Sequence, residues 1–249
     1  MSRLATAAVL ACLCTAARAQ TDEIQVYDAE INEPGRFNLV WHDNYTLDGR
    51  KVPEFPVGIV PDRALNGVTE WAWGATEWLE LGLYLPLYTV QRDGDWAFDG
   101  WKLRALFVSP HAAERRFFWG LNFELSFNRP QWDPHRNGGE IRPIVGVHLG
   151  RVDLVLNPIV DTSFDGLRNL DLAPAARVAY HFDARFAAAL EQYADFGAVG
   201  RLGKERSQQT LFAVLDWDGA PVGVELGVGA GLTDTTDRCV AKLMLLHDF

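Results

Sequence analysis

Residues 121–127 read LNFELSF, a strict alternation of apolar and polar side chains. Successive side chains of a β-strand point to opposite faces of a sheet, so this segment predicts a strand with one apolar and one polar face. Apolar residues alternate in the same way with polar or small ones in segments 79–87 and 222–232. The repeated two-residue period predicts an all-β fold.

The same pattern predicts twelve strands along the chain. They lie near 36–46, 68–76, 78–88, 99–109, 117–127, 139–149, 152–160, 170–182, 185–196, 208–217, 221–232 and 239–249. Strands of soluble proteins average about five or six residues, whereas a tilted strand needs about 9–11 residues to cross a bilayer. Most of the predicted strands have the length of membrane-spanning strands.

The connections between these strands alternate in length. Short links fall at 76–77, 150–151, 183–184 and 218–220, with a somewhat longer one at 110–116. Longer polar links fall at 47–67, 89–98, 128–138, 161–169, 197–207 and 233–238. Transmembrane β-barrels have short periplasmic turns and longer outer loops. The alternation therefore indicates a membrane barrel, and an even number of strands returns both ends to the periplasmic side.

The N-terminus predicts export. Arg3 provides a positive start, residues 4–17 are apolar, and 17–19 form a small-x-small cleavage site. Because the apolar stretch is too short to span a bilayer, we predict a signal peptide over 1–19 and Sec-type export rather than a membrane anchor. Its removal leaves Cys239 as the single cysteine, so no internal disulfide is expected.

The last predicted strand ends on an aromatic residue, Phe249, preceded by alternating apolar positions. A terminal aromatic of this kind resembles the signal that the outer-membrane insertion machinery of Gram-negative bacteria recognises in known barrels. The resemblance implies two partners, that machinery and outer-membrane lipid, and a location in the outer membrane.

The fold class predicted for residues 35–249 is an antiparallel transmembrane β-barrel of about 12 strands, with a range of 10–14. A secreted soluble sandwich or lipocalin-like barrel is the alternative, because charges on a wet outer surface would give the same pattern. The signal peptide, strand length, loop alternation and Phe249 favour the membrane. With 33 acidic and 23 basic residues, the formal net charge of −10 argues against a nucleic-acid partner.

Several segments resemble a family of outer-membrane barrels named for the meta pathway of phenol degradation. The segment WGATEWLELGLYLP at 73–86 is similar to a hairpin of that family, EPGRFNL at 33–39 and WHDNY at 41–45 are similar to its first strand, and the close at 243–249 is similar to its last. The resemblance implies a barrel that takes up small organic or aromatic compounds. It brings no catalytic residues.

The polar face of the predicted strands carries the candidate lumen residues. They are Glu80, Lys102, Arg104, Asn122, Glu124, Arg142, His148, Asp171, Arg177, Glu191, Glu225 and Lys242. Apolar residues such as Leu106, Ile144 and Phe212 share this face. The mixture favours a channel or passive transporter for small, aromatic or amphipathic solutes; in the alternative, the charges pair and the interior is filled.

An acidic leader, residues 20–34, precedes the first strand and places Asp22, Glu23, Asp28, Glu30 and Glu33 around a few apolar residues. One hypothesis is that it folds into the lumen as a plug against Lys102, Arg104, Arg142 and Arg177. The alternative is a solvated periplasmic tail.

Two other functional classes stay open. An outer-membrane lipase-like enzyme is less favoured, because the sequence has no Gly-x-Ser-x-Gly motif and Ser126 has no histidine near it in sequence. A closed structural barrel would display its long loops, chiefly 47–67 and 128–138, to a partner. The histidines show no metal-binding spacing, so we predict no metal and no cofactor.

Overall fold

The computed structural model describes residues 23–203 and 207–249. The predicted signal peptide and the start of the leader lie outside this part of the chain. Its strands are β1 (Phe37–Asp48), β2 (Leu65–Thr76), β3 (Leu79–Val90), β4 (Trp96–Val108), β5 (Phe117–Asn128), β6 (Asn137–Leu149), β7 (Val152–Asn157), β8 (Val160–Thr162), β9 (Asp171–Leu172), β10 (Ala175–His181), β11 (Phe186–Asp195), β12 (Gln208–Trp217), β13 (Gly223–Gly231) and β14 (Cys239–Asp248).

The strands form one closed antiparallel sheet. Sequence neighbours pair with one another, and β1 pairs with β14, which closes the barrel. The strands β7 and β8 both pair with β6, and they act as one span interrupted at Pro158. The strands β9 and β10 act as a second interrupted span, broken at Pro174. The prolines lack the N–H that a ladder needs, so fourteen strands make twelve spans and the predicted barrel is confirmed.

Mostly short turns join the strands at one end of the barrel, and mostly longer loops join them at the other. The predicted alternation of link length fails at two places, because the link 91–95 at the long-loop end is shorter than the link 109–116 at the short-turn end. The short-turn end includes the links after Thr76, Leu149 and His181, and the long-loop end includes the links after Asp48 and Asn128. In the described part of the chain, 3₁₀ turns lie in the connections at Ala112–Glu114, Leu167–Asn169 and Val199–Arg201. Within the described ranges, no helix is long and apolar enough to cross a membrane.

The outer wall is apolar and the inner wall is mixed, as the alternation predicts. Outward positions of β5 such as Trp119, Phe123 and Leu125 are exposed, whereas Asn122 and Glu124 are buried in the interior. Aromatic pairs stack on the outer wall at the short-turn end: Phe37 with Trp73, Trp78 with Phe107, and Phe186 with Trp217. Such girdles are typical of the interface between membrane and water.

One predicted face is wrong. The alternation of 79–87 places Leu87 outside with the other leucines of β3, but its side chain is buried inside the barrel. Val68 pairs with Leu87 and Glu70 pairs with Tyr84, so Leu85 and Pro86 together lie opposite Thr69. This bulge adds one residue to β3 and reverses the faces that follow it.

Candidate functional site

The leader enters the barrel at the short-turn end. Gly35 donates its N–H to the carbonyl of Gly74 at 2.8 Å, and Gly74 donates back to Arg36 at 3.0 Å. A Cβ on Gly74 would lie 2.4 Å from the carbonyl oxygens of Asn32 and Glu33, so only glycine allows this close approach. Glu80 on β3 accepts hydrogen bonds from the backbone N–H and the side-chain amide of Asn32, each at 2.7 Å.

The middle of the leader is paired with the wall through one side chain. Asn157 accepts a hydrogen bond from the backbone N–H of Tyr27 at 2.8 Å and donates one to its carbonyl at 2.9 Å. The side-chain amide of Asn157 therefore makes the two hydrogen bonds to the Tyr27 backbone that a neighbouring strand would otherwise make. Asn157 is fully buried, which makes both bonds part of the barrel interior.

Two guanidinium groups lie close to the Tyr27 ring. The Cζ of Arg142 is 4.2 Å from the ring centroid and that of Arg104 is 5.4 Å from it, both within the range of cation–π contact. The hydroxyl of Tyr27 is 2.5 Å from that of Tyr84. Arg142 also donates to the carbonyl of Gln25 at 3.2 Å. The leader therefore packs against two of the four basic residues that the plug hypothesis names.

Apolar contacts complete the fit of the leader. Its buried apolar residues pack into two clusters of inward side chains. Val26, Tyr27 and Ala29 pack in a cluster that includes Leu106, Val108, Phe118, Ile144, Val155 and Ile159, and Ile24 packs in one with Ala179, Ala189, Phe212 and Val214. Some of the inward apolar residues predicted from the sequence therefore pack against the leader.

Lys242 anchors the leader near its described start. Its ammonium donates to the carbonyl of Ile24 at 3.0 Å and to Glu191 at 2.5 Å, and lies 2.5 Å from an oxygen of Glu225. The Lys242 side chain is completely buried. A buried ammonium is stable only when it is paired with negative charges and hydrogen-bond acceptors. The carbonyl of Ile24 is one of these acceptors, so the leader helps to stabilise the buried charge of Lys242.

The remaining inward charges pair across the strands. Arg104 bridges Glu70 at 2.7 Å and Glu80 at 2.5 Å. Arg177 forms ion pairs with Glu191, with Asp216 at 2.5 Å and with Glu225 at 3.5 Å. The wall beside the leader is therefore held by ion-pair networks as well as by backbone hydrogen bonds.

Two carboxyl groups of the leader lie near each other and near Asp153 on the wall. Asp28 and Glu30 are exposed, and Asp28 accepts a hydrogen bond from the backbone N–H of Glu30 at 3.1 Å. The negative charge of Asp28 raises the pKa of Glu30 to about 8, and enclosure by the barrel wall adds to the shift. Asp153 on the wall raises it further; that residue lies 2.7 Å from both His148 and His181.

A cavity of about 310 Å³ lies between the leader and the long loops. Glu23 and Ile24 form part of its lining, with Trp132 from a long loop and Tyr193 and Phe212 from the wall. We refer to this cavity as the vestibule. Among the described residues, no group of histidine, cysteine or acidic side chains is arranged to hold a metal ion.

The structure places the predicted lumen residues on the inner wall but divides them among different surroundings. Lys102, Glu124, Arg142 and Asp171 line the vestibule. Asn122 donates to Glu124 at 2.8 Å, and Lys102 is 3.8 Å from the same carboxylate. His148 lies towards the short-turn end, next to Asp153, and Glu80, Arg104, Arg177, Glu191, Glu225 and Lys242 form the networks described above.

Two inward residues near the leader, Glu70 and Tyr84, are absent from the predicted lumen residues. Both lie on the polar face of their strands and are buried in the barrel, so alternation is the available signal. Their roles depend on which strands face each other across the lumen, and alternation carries no information about that.

Comparison with solved structures identifies the class to which the fold belongs. The chain is similar to an outer-membrane channel from Pseudomonas putida F1, with 15% sequence identity, a TM-score of 0.61, and coverage of 91% of this chain and 100% of that one. It is also similar to the NanC porin, with 8% identity, a TM-score of 0.52, and coverage of 86% and 98%. No protein-family model and no curated protein matches the sequence. The fold is that of the outer-membrane β-barrels.

Proposed function

We propose that this protein is a channel or passive transporter of a Gram-negative outer membrane, in which the leader closes the lumen in the resting state. The single observation that carries the proposal is the position of the leader. Residues 23–34 contact the inner wall on several sides, while the vestibule opens above them among the long loops. A lumen that is polar, partly hollow and filled by one segment that belongs to no strand fits a gated pore better than a solid scaffold.

The outer surface supports the proposed location. The exposed outward residues are mostly leucine, valine and aromatic side chains, which suit contact with outer-membrane lipid. The backbone N–H of Phe249 pairs with the carbonyl of Phe37 at 2.9 Å, while its ring is exposed. An exposed terminal ring is accessible to the insertion machinery. In this orientation the short-turn end faces the periplasm after Sec-type export.

We also propose membership of the family named for the meta pathway of phenol degradation, on the segments quoted above. Small aromatic or amphipathic solutes suit a path whose lining mixes Trp132, Tyr193 and Phe212 with polar groups. In this proposal the protein moves its solute without catalysis.

Planar-bilayer recording of the full mature chain and of a variant lacking residues 20–34 tests the proposal. We expect small or rare openings for the full chain and a larger, steady single-channel conductance for the deletion variant. Both proteins are first shown to be folded by heat-modifiable migration on gels. Equal currents would exclude closure by the leader. The absence of current from both folded proteins would favour the closed structural barrel.

A further inference from the structure

We infer that the short-turn end of the barrel carries a binding site for an anionic phospholipid headgroup, in a recess between the β4–β5 link and the β6–β7 turn. This inference uses the proposed orientation, in which the short-turn end meets the periplasmic leaflet of the membrane. It starts from the uneven distribution of charge around that end.

The links at the short-turn end carry arginine on one side of the barrel only. The β4–β5 link contains Arg115 and Arg116, and the next two links around the barrel contain Arg151 and Arg185. The remaining links, 77–78 and 218–222, contain an acidic residue each and no basic one. Because the links of neighbouring spans lie side by side, the rim has a basic arc that extends from β4 to β11.

The guanidinium groups of this arc are available to a ligand. All four arginines are exposed. Among the residues that the structure describes, no carboxylate forms an ion pair with the side chain of any of them. They differ in this respect from the arginines of the lumen, which form the ion-pair networks of the inner wall.

Two of the arginines line an open recess of about 600 Å³. Its lining comes from the β4–β5 link on one side and from the end of β6 and the following turn on the other: Ala113, Glu114, Arg115, Arg116, His148, Leu149 and Gly150. Backbone hydrogen bonds hold the two sides together, because His148 donates its N–H to the carbonyl of Arg116 at 2.8 Å. The N–H of Arg115 donates to the carbonyl of Ala112 at 3.2 Å, and Ala112 is buried in the barrel interior. The link is therefore anchored where it presents its two arginines.

The lining of the recess suits a phosphate that is linked to a polyol. A guanidinium group presents its N–H donors in a planar fork that matches two oxygens of a phosphate. Glu114 is the acidic residue of the lining, so the two guanidinium groups outweigh its charge. Its carboxylate can accept a hydrogen bond from a headgroup hydroxyl. A phosphoglycerol headgroup would therefore find both donors and an acceptor.

The surface next to the recess favours a lipid over a free anion. Leu149 lines the recess and is exposed on the outer wall, and Phe117 and Trp119 are exposed on the neighbouring strand. Phe117 pairs with Val147, so an apolar strip leads away from the recess along β5 and β6. Aromatic side chains of membrane proteins lie at the level of the lipid headgroups. A headgroup in the recess can therefore place its acyl chains on this strip.

Native mass spectrometry of the folded, full mature chain in a non-ionic detergent tests the inference. Phosphatidylglycerol is the probe, and phosphatidylcholine with the same acyl chains is the matched lipid without net charge. We expect the chain to retain one molecule of phosphatidylglycerol in preference to phosphatidylcholine. The variant Arg115→Gln/Arg116→Gln should bind it about 25-fold more weakly, because each basic residue near an anionic lipid surface contributes about fivefold. The matched control is Arg136→Gln/Arg168→Gln, which removes two exposed arginines from the long loops.

All variants are first shown to be folded by heat-modifiable migration. Equal retention of the two lipids by the native chain would overturn the site, and so would unchanged affinity in the Arg115/Arg116 variant. Equal loss in both double variants would assign the effect to net charge and exclude the recess. Displacement of the lipid by equimolar inorganic phosphate would overturn the lipid as the occupant.

Lipid retention does not depend on conduction. Failed retention beside a conducting deletion variant overturns the lipid site alone, whereas selective retention by a barrel that never conducts overturns the channel alone.

Discussion

Asn157 pairs with both backbone polar groups of Tyr27, accepting from its N–H at 2.8 Å and donating to its carbonyl at 2.9 Å. One side chain of the wall thus satisfies the polar groups of a segment that belongs to no strand. Without it, a buried peptide group would lose its partners, which costs free energy. The leader is therefore part of the packed interior, and its contacts are open to direct tests.

The first test removes this pair of bonds. We expect Asn157→Ala to weaken docking of the leader by about 1–3 kcal/mol, because it leaves two buried backbone groups unsatisfied. Limited proteolysis of the folded protein in detergent should show faster cleavage within the leader. The control Asn169→Ala changes an exposed loop residue. Equal cleavage rates in the two variants would contradict the account.

The second test concerns the buried ammonium. Lys242→Met removes the donor to Ile24 and leaves Glu191 and Glu225 with Arg177 as their cation. We expect a loss of about 3–5 kcal/mol in the free energy of unfolding, the usual result of breaking a buried ion pair from one side. Urea titration followed by heat-modifiable migration measures it. Lys51→Met, at an exposed loop position, should have almost no effect; equal effects would rule out a special role for Lys242.

The third test checks the two faces of the wall. Leu83 points outward from β3, so Leu83→Arg should place a charge in lipid and cost about 2–4 kcal/mol. Glu124→Gln, inside the barrel, retains an oxygen that can accept the hydrogen bond from Asn122 and should cost far less. The amount of folded protein recovered from the membrane fraction gives the comparison. If both variants insert equally well, the assignment of faces is wrong.

The fourth test is the pH dependence of docking. The negative charge of Asp28 raises the pKa of Glu30 in the docked leader from 4.5 to about 8. As the pH rises, Glu30 of a released leader therefore loses its proton near pH 4.5, whereas Glu30 of the docked leader keeps it until about pH 8. Docking should therefore weaken as the pH rises from about 4.5 to about 8, and channel opening should increase over the same window. Glu30→Gln should flatten that part of the profile in bilayer recordings. An unchanged profile in this variant would exclude Glu30 as the titrating group.

The barrel could be predicted from the sequence because each strand repeats one physical rule, the alternation of lipid-facing and lumen-facing side chains. The predicted face is wrong at Leu87, because the bulge at Leu85 and Pro86 reverses the faces that follow it. The predicted strands 152–160 and 170–182 are also continuous, whereas the observed strands are interrupted at Pro158 and Pro174. Hydrogen bonding between strands decides these details.

The candidate site could be predicted only in part. Inward residues such as Arg142 and Lys242 follow from alternation, since polar side chains avoid lipid. That Arg142 stacks on Tyr27 while Lys242 binds the carbonyl of Ile24 follows from where the leader crosses the lumen.

The most direct measurement of the central claim, that the leader closes the lumen, uses a reversible covalent lock. A Cβ on Gly120 would lie 3.4 Å from the Cβ of Ala29, close to the separation of about 3.5–4.5 Å in disulfides. The variant Ala29→Cys/Gly120→Cys, with Cys239→Ser to remove the remaining thiol, joins the leader to β5. Each single-cysteine variant serves as a control.

Single-channel conductance is recorded from the locked variant before and after addition of a reductant on both sides of the bilayer. Closure of the lumen by the leader predicts a silent barrel when oxidised and openings that appear within the same recording when the disulfide is reduced, with no response in the single-cysteine controls. Full conductance through the oxidised, cross-linked barrel would contradict it.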